Sequence, residues 1–141
     1  MNPPTIIAEI GCNHRGAVET AEEMIKLAAI FCRADYVKFQ KRHNQALLTE
    51  AQYNAPHPNP IHAYGDTYGQ HRENLEFDAS THRHLKSVCE SFGIGYSTSV
   101  WDLTSAKEMS DLRPNMLKIP SASNTNYEML DWLCRNFDGE I

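Results

Sequence analysis

Lys38 and Gln40 stand two residues apart in ADYVKFQ (34–40), an apolar run that reads as a β-strand. Alternation along a strand puts both on one face, with Val37 and Phe39 on the other, packing against helices. A second lysine, Lys118, lies at the end of another such run, NMLKI (115–119), with Ser121 just beyond it. Thr98 ends a third, IGYST (94–98). A buried lysine is costly unless something answers its charge. Two lysines, an amide and two hydroxyls form a set of donors suited to a small polyanion carrying phosphate or carboxylate. Glu9, in IIAEIGCNHRG (6–16), is the one acid among these strand-end groups. It reads as an internal counter-ion, or as an acid/base or substrate-orienting group. The plain alternative is a salt bridge inside the core. Asn13 and His14 follow at once in a turn bounded by Gly11 and Gly16. His14 reads first as a residue that fixes this loop, and second as one that touches substrate.

The elements that must position these groups alternate along the chain. Strands are predicted over 5–10, 34–40, 94–98 and 115–119. Helices are predicted over 17–31, 79–92, 102–112 and 126–137, from apolar residues recurring at helical spacing. Asp78 or Ser80 caps the second helix, Asp102 the third, and Gly139 ends the fourth. The nearly continuous apolar run of the first strand predicts cover on both faces. Alternating strands and helices predict a parallel sheet with right-handed crossovers. Two closures fit: an open doubly wound sheet, or an α/β barrel of the (β/α)8 TIM type. A complete barrel needs eight units and about 250 residues. The chain, 1–141, therefore reads as the N-terminal part of one barrel domain, about its first four units. Glu140-Ile141 reads as the start of a fifth strand. In both closures every candidate lies at a C-terminal strand end, where parallel α/β enzymes place their active sites. Residues 41–77, rich in Pro, His, Asn, Gly and Tyr, read as a long loop on that side, a lid or an interface.

Composition narrows the classes. The formal net charge is −5, which does not suggest a nucleic-acid surface. No apolar stretch approaches bilayer length and no signal-like segment opens the sequence, so a soluble cytoplasmic protein with no membrane partner is expected. Cys12, Cys32, Cys89 and Cys134 form no C-x-x-C pair. The last three read as reduced core residues, and Cys12 as a small filler in the turn. The histidines of 41–77 read as solvent-exposed.

Four stretches, IAEIGCNHRG (7–16), ADYVKFQ (34–40), GIGYSTSVWD (93–102) and LKIPSASNTN (117–126), occur in an order and spacing that resembles the N-terminal half of a sialic acid synthase, the N-acetylneuraminate synthase family. The resemblance spans nearly the whole chain. It implies a (β/α)8 barrel followed by a small antifreeze-like domain, both continuing beyond residue 141, and a homodimer. It implies condensation of phosphoenolpyruvate with an N-acetylated hexosamine aldehyde, typically N-acetylmannosamine, with release of phosphate. It also implies a divalent metal, usually manganese (Mn2+), whose two histidine ligands belong to later strands. On this resemblance Lys38, Thr98, Lys118 and Ser121 would hold phosphoenolpyruvate with Gln40 nearby, and Glu9 would act near the sugar and the attacking water. Two departures leave the sugar open. Ser99-Val100 follow Thr98 where the family commonly has a proline and an aromatic, and Ser123 stands where many members carry an acid. A related phosphoenolpyruvate-condensing synthase, or a non-catalytic half-barrel that binds an anion, are the competing readings.

Overall fold

A computed structural model of the protein describes residues 3–141. Four strands, β1 (Ile7–Gly11), β2 (Tyr36–Lys41), β3 (Gly95–Val100) and β4 (Met116–Lys118), form one parallel sheet in the order β1-β2-β3-β4. The long helices are α1 (Val18–Ile30), α5 (Ala79–Ser91), α6 (Leu103–Ser110) and α7 (Tyr127–Asn136). Side-chain caps start three of them: Asp78 accepts from Thr81 N–H at 2.7 Å, Asp102 from Ser105 N–H at 2.8 Å, and Asn126 from Met129 N–H at 3.2 Å. Ser80 donates to Asp78 rather than capping α5 itself. Gly139 does not end α7, which closes at Phe137 in extended conformation. Glu140 instead makes a parallel bridge to Met116, the fifth-strand step that the sequence predicts.

Two apolar clusters hold the helices to the sheet. The first joins Ile10, Val37, Phe39 and Tyr96 to Ala21, Ile25 and Leu85 of α1 and α5. The second joins Val100 and Leu117 to Ala106, Met109, Met129 and Leu133 of α6 and α7. Both use the same strand face. Glu9, Lys38, Gln40, Ser97, Ser99 and Lys118 belong to neither cluster and take the opposite face. A doubly wound sheet reverses its strand order and places helices on both faces. Sequential order with one helical face is the wall of a (β/α) barrel.

Several expectations need correction. Among the described residues β1 packs against the helices through Ile10, while on its other face Ile7 is 38 % exposed and Glu9 is open. Segment 41–77 is not structureless. It folds into the short helices α2 (Asn44–Leu47), α3 (Glu50–Asn54) and α4 (Tyr68–Glu73) with a 3₁₀ turn at Pro60–His62. Thr49, with Gln52, builds a capping box at α3, and Thr67 caps α4. Cys89 is buried, but Cys32 lies just past α1 and Cys134 on the outer side of α7, both exposed. The buried stripe of α7 runs through Met129 and Leu133 instead. No helix among the described residues is long and apolar enough to cross a membrane.

Candidate functional site

The strand register decides which predicted residues meet. Glu9 pairs with Lys38 across β1–β2, Lys38 with Ser97 and Gln40 with Ser99 across β2–β3, and Ser99 with Lys118 across β3–β4. The side chains of Glu9, Lys38, Gln40, Ser99 and Lys118 line one cleft of about 530 Å³ at the C-terminal strand ends, together with Gly11, Cys12, Asn13, Trp101 and Pro120. A larger cleft of about 1230 Å³ lies at the opposite ends, between Tyr36, Arg113, Trp132 and Glu140. Chemistry in parallel α/β folds gathers at the C-terminal ends, so the smaller cleft is the candidate.

Lys38 is its central group. The residue is 8 % exposed, and its ammonium forms an ion pair with the Glu9 carboxylate and donates to Ser99 Oγ at 3.3 Å. Glu9 keeps about half its side chain in solvent. Lys118 is exposed and makes no ion pair among the described residues. The register slips by one between Glu9 and Gly11, and Gly11 adopts φ 58°. A Cβ there would press on Gln40 Nε2 at 3.2 Å and Glu9 Oε1 at 3.3 Å. The glycine thus lets the acid, the amide and the turn converge.

The turn that follows is tied from within. Asn13 Nδ2 donates to the Ile10 carbonyl at 2.8 Å, and Asn13 borders the cleft. His14 is 2 % exposed, accepts the Gly16 N–H at Nδ1 and stacks on Phe77 with centroids 4.0 Å apart. It does not line the cleft. Gly16 has φ 78°, and a Cβ there would overlap the Asn74 carbonyl oxygen. Gly16→Ala should cost about 2 kcal/mol, from backbone strain plus displacement of that contact. Denaturant midpoints of the whole protein and its variant check this.

Thr98 and Ser121 are not brought to the cleft. Thr98 is fully buried on the helix side with Tyr96 and Val100. β3 runs two residues past the predicted end, so Ser99, not Thr98, shares the face of Gln40. Ser121 is exposed at the start of a 3₁₀ turn, Ser121–Ser123. Ser123 is buried and donates to the Trp101 carbonyl at 2.8 Å. Among the described residues lining the cleft, Glu9 is therefore the one carboxylate. Ser99, Trp101 and, beside them, Arg42 are the residues that sequence reasoning missed. Arg42 follows the Lys38–Gln40 strand directly. Its Nη2 is 3.2 Å from Cys12 Sγ, it lies over the Trp101 ring at 6.0 Å, and it pairs with Glu76. Burial pushes the Cys12 thiol up, so it is not a poised nucleophile.

Two buried imidazoles support this frame. Burial lowers His14 to about 4 and His82 to about 3; His82 Nδ1 lies 2.7 Å from Tyr96 Oη. Both are neutral in the folded protein at pH 7, whereas the unfolded chain takes up their protons below about 6.5. Their contribution to stability is complete above pH 6.5 and falls as the pH drops toward 4 and then 3. Urea midpoints measured from pH 7.5 to 4.5 should decline, by a few kcal/mol in order of magnitude. A flat profile between pH 7 and 5 would contradict neutral buried imidazoles.

No three His, Cys, Asp or Glu residues converge to hold a metal among the described residues, and Glu9 is already engaged by Lys38. The resemblance puts the ligands of its divalent ion on later strands, and no chemistry below is assigned to it.

The fold defines a barrel-type α/β protein whose polar cleft opens at the C-terminal ends of its strands. More narrowly, the chain belongs to the NeuB family, whose model matches residues 24–139. It is 33 % identical over 131 residues to the N-acetylneuraminate-9-phosphate synthase of Homo sapiens, covering 93 % of this chain and 36 % of that protein. The Drosophila melanogaster synthase of the same name is 38 % identical over 128 residues, 89 % of this chain and 33 % of that one. The N,N'-diacetyllegionaminic acid synthase of Campylobacter jejuni is 31 % identical over 130 residues, 92 % and 39 % of the two. The chain thus spans about a third of the length of these relatives. The crystal structure of the N-acetylneuraminic acid synthetase of Leptospira borgpetersenii, in complex with citrate, superimposes with a TM-score of 0.76 at 23 % identity, over 96 % of this chain and 42 % of that one. That likeness establishes the shared fold.

Proposed function

We propose that the protein to which this barrel wall belongs condenses phosphoenolpyruvate with an N-acetylated hexosamine aldehyde, forming a nonulosonic acid and releasing phosphate. The observation that carries the reading is Lys38, held between Glu9 and Ser99 on the same face as Gln40 and Lys118. Lys38 and Lys118 offset the donor's phosphate and carboxylate charges, while Gln40 and Ser99 orient its oxygens. The donor methylene forms the new carbon–carbon bond with the aldehyde carbon, whose oxygen takes a proton. Water adds at the neighbouring donor carbon, and the carbon–oxygen bond to phosphate breaks. Glu9 stands beside the lysine with half its surface open, placed to receive the proton of the water.

Three carbons of the donor become atoms 1 to 3 of a nine-carbon acid, so atom 9 is the sixth carbon of the hexosamine. The 9-phosphate in the names of the human and Drosophila relatives therefore supports a C6-phosphorylated acceptor. The C. jejuni relative is named for a legionaminic acid, which keeps the unphosphorylated acceptors in the screen. The reading carries with it a divalent ion, manganese, with ligands outside residues 3–141, a homodimer and a cytoplasmic location. The test is phosphate release from phosphoenolpyruvate by the whole protein with manganese and each sugar. Sugar-dependent release supports it. Absence of release with every N-acetylated hexosamine would sink it and leave an anion-binding domain.

A further inference from the structure

A second pocket lies under the folded segment, walled by the end of β2, by α2, α3 and α4, and by the turn into α5. It measures about 520 Å³ and shares no lining residue with the cleft of Glu9 and Lys38. Small-molecule sites occupy about 300–1,000 Å³. Asn44 lines the pocket and is 2 % exposed, and neither its amide nitrogen nor its amide oxygen has a hydrogen-bond partner among the described residues. A buried amide left unpaired is costly, and a partner that both donates and accepts removes the cost. The cations of the wall are already answered. Lys41 donates to the Phe77 carbonyl at 3.0 Å and lies 3.5 Å from Glu108, Arg42 pairs with Glu76, and His43 lies 3.3 Å from Glu108. Glu73, also in the wall, pairs with no cation among the described residues. An anion would therefore meet a free carboxylate and no free cation. Tyr53 adds an aromatic wall. It packs so closely on Gly69 of α4 that a Cβ there would overlap its ring. Amide, carboxylate and phenol suit hydroxyl groups, each of which donates and accepts, and the ring suits a C–H surface.

We propose that this pocket is a second binding site, for an uncharged sugar, with Asn44 as its buried anchor. The Asn44 amide donates to one hydroxyl and accepts from its neighbour, Glu73 accepts from a hydroxyl at the exposed side, and Tyr53 packs on the C–H face of the sugar ring. The site is walled by residues within 41–78 and does not rest on the condensation reading above.

The experiment is calorimetric binding of glucose, N-acetylglucosamine and N-acetylmannosamine to the whole protein and to its Asn44→Leu, Glu73→Ala and Lys38→Met variants, with inorganic phosphate as the anionic control. At least one of the sugars should bind the wild type. Asn44→Leu should weaken that sugar by about tenfold or more, the scale of one buried hydrogen bond. Its denaturation midpoint should stay or rise, because leucine keeps the volume and removes an unpaired amide. Glu73→Ala, at an exposed position, should weaken the sugar severalfold, and Lys38→Met should leave it unchanged. Binding of none of the sugars leaves a solvent pocket and overturns the site. So does sugar binding that survives Asn44→Leu, sugar binding lost in Lys38→Met, which belongs to the cleft, or phosphate binding that depends on Asn44. If Asn44→Leu lowers the midpoint, Glu73→Ala decides: weakened binding supports the site, and kept affinity overturns it. Turnover enters none of these readouts, so failure of the condensation reading leaves them intact.

Discussion

Lys38→Met in the whole protein should lower kcat/KM for phosphoenolpyruvate by about a thousandfold, the scale on which removing a preorganised charge or donor acts. Lys38 is the cation that contacts both Glu9 and Ser99, and it is nearly enclosed, so water cannot replace it. Methionine keeps the length of the side chain and removes the desolvation cost of the ammonium. Glu9, left without its partner, is half exposed and can be hydrated. The denaturation midpoint should therefore shift by no more than about 1 kcal/mol. A large kinetic loss with an intact fold separates a functional lysine from a structural ion pair. Unchanged turnover with a lowered midpoint would make the pair structural and remove Lys38 from the anion site.

Glu9→Gln should show the complementary pattern. The amide keeps the size of the carboxylate and can still approach Lys38, so the cleft retains its shape. The negative charge is lost from the cleft wall, where it is the one carboxylate among the described residues. Phosphoenolpyruvate should bind as well as before or better, because an anion no longer faces it. Turnover should fall by about 10² to 10⁴, the usual contribution of a placed acid or base. Steady-state kinetics with calorimetry of donor binding checks both halves. Full turnover in Glu9→Gln would end its assignment as the acid/base group.

The barrel wall was legible because its signals are local and repeated. Asp102 and Asn126 stand where helices begin, and Val37 and Phe39 bracket Lys38 in a two-residue period. That period alone puts Lys38 and Gln40 on one face, and Glu9 and Lys118, read only as strand-end groups, line the same cleft. Thr98 does not, for a specific reason. Its face follows from alternation with its own neighbours, which the sequence reading did not apply to this strand. Tyr96 and Val100, two residues to either side, do carry the signal of its face, but a strand read as ending at Thr98 leaves Val100 out of the pattern. Ser121 failed similarly, because the 3₁₀ turn after Pro120 is shaped by Ser123 reaching back to Trp101. The helices inside 41–77 were hidden because α2, α3 and α4 are too short for an apolar period, though Thr49 and Thr67 carried their caps openly.

The division of the apolar core into two clusters bears on how the site comes apart. β3 contributes Tyr96 to one cluster and Val100 to the other, so the boundary runs through a single strand. Regions with separate cores open as separate cooperative units. The unit of β1, β2, α1 and α5 carries Glu9, Lys38 and Gln40; that of β4, α6 and α7 carries Lys118; Ser99 sits on the seam. An anion held by both lysines, as proposed above, would span that seam and bind only while the halves are docked. By mass action such a ligand would make the two units open together.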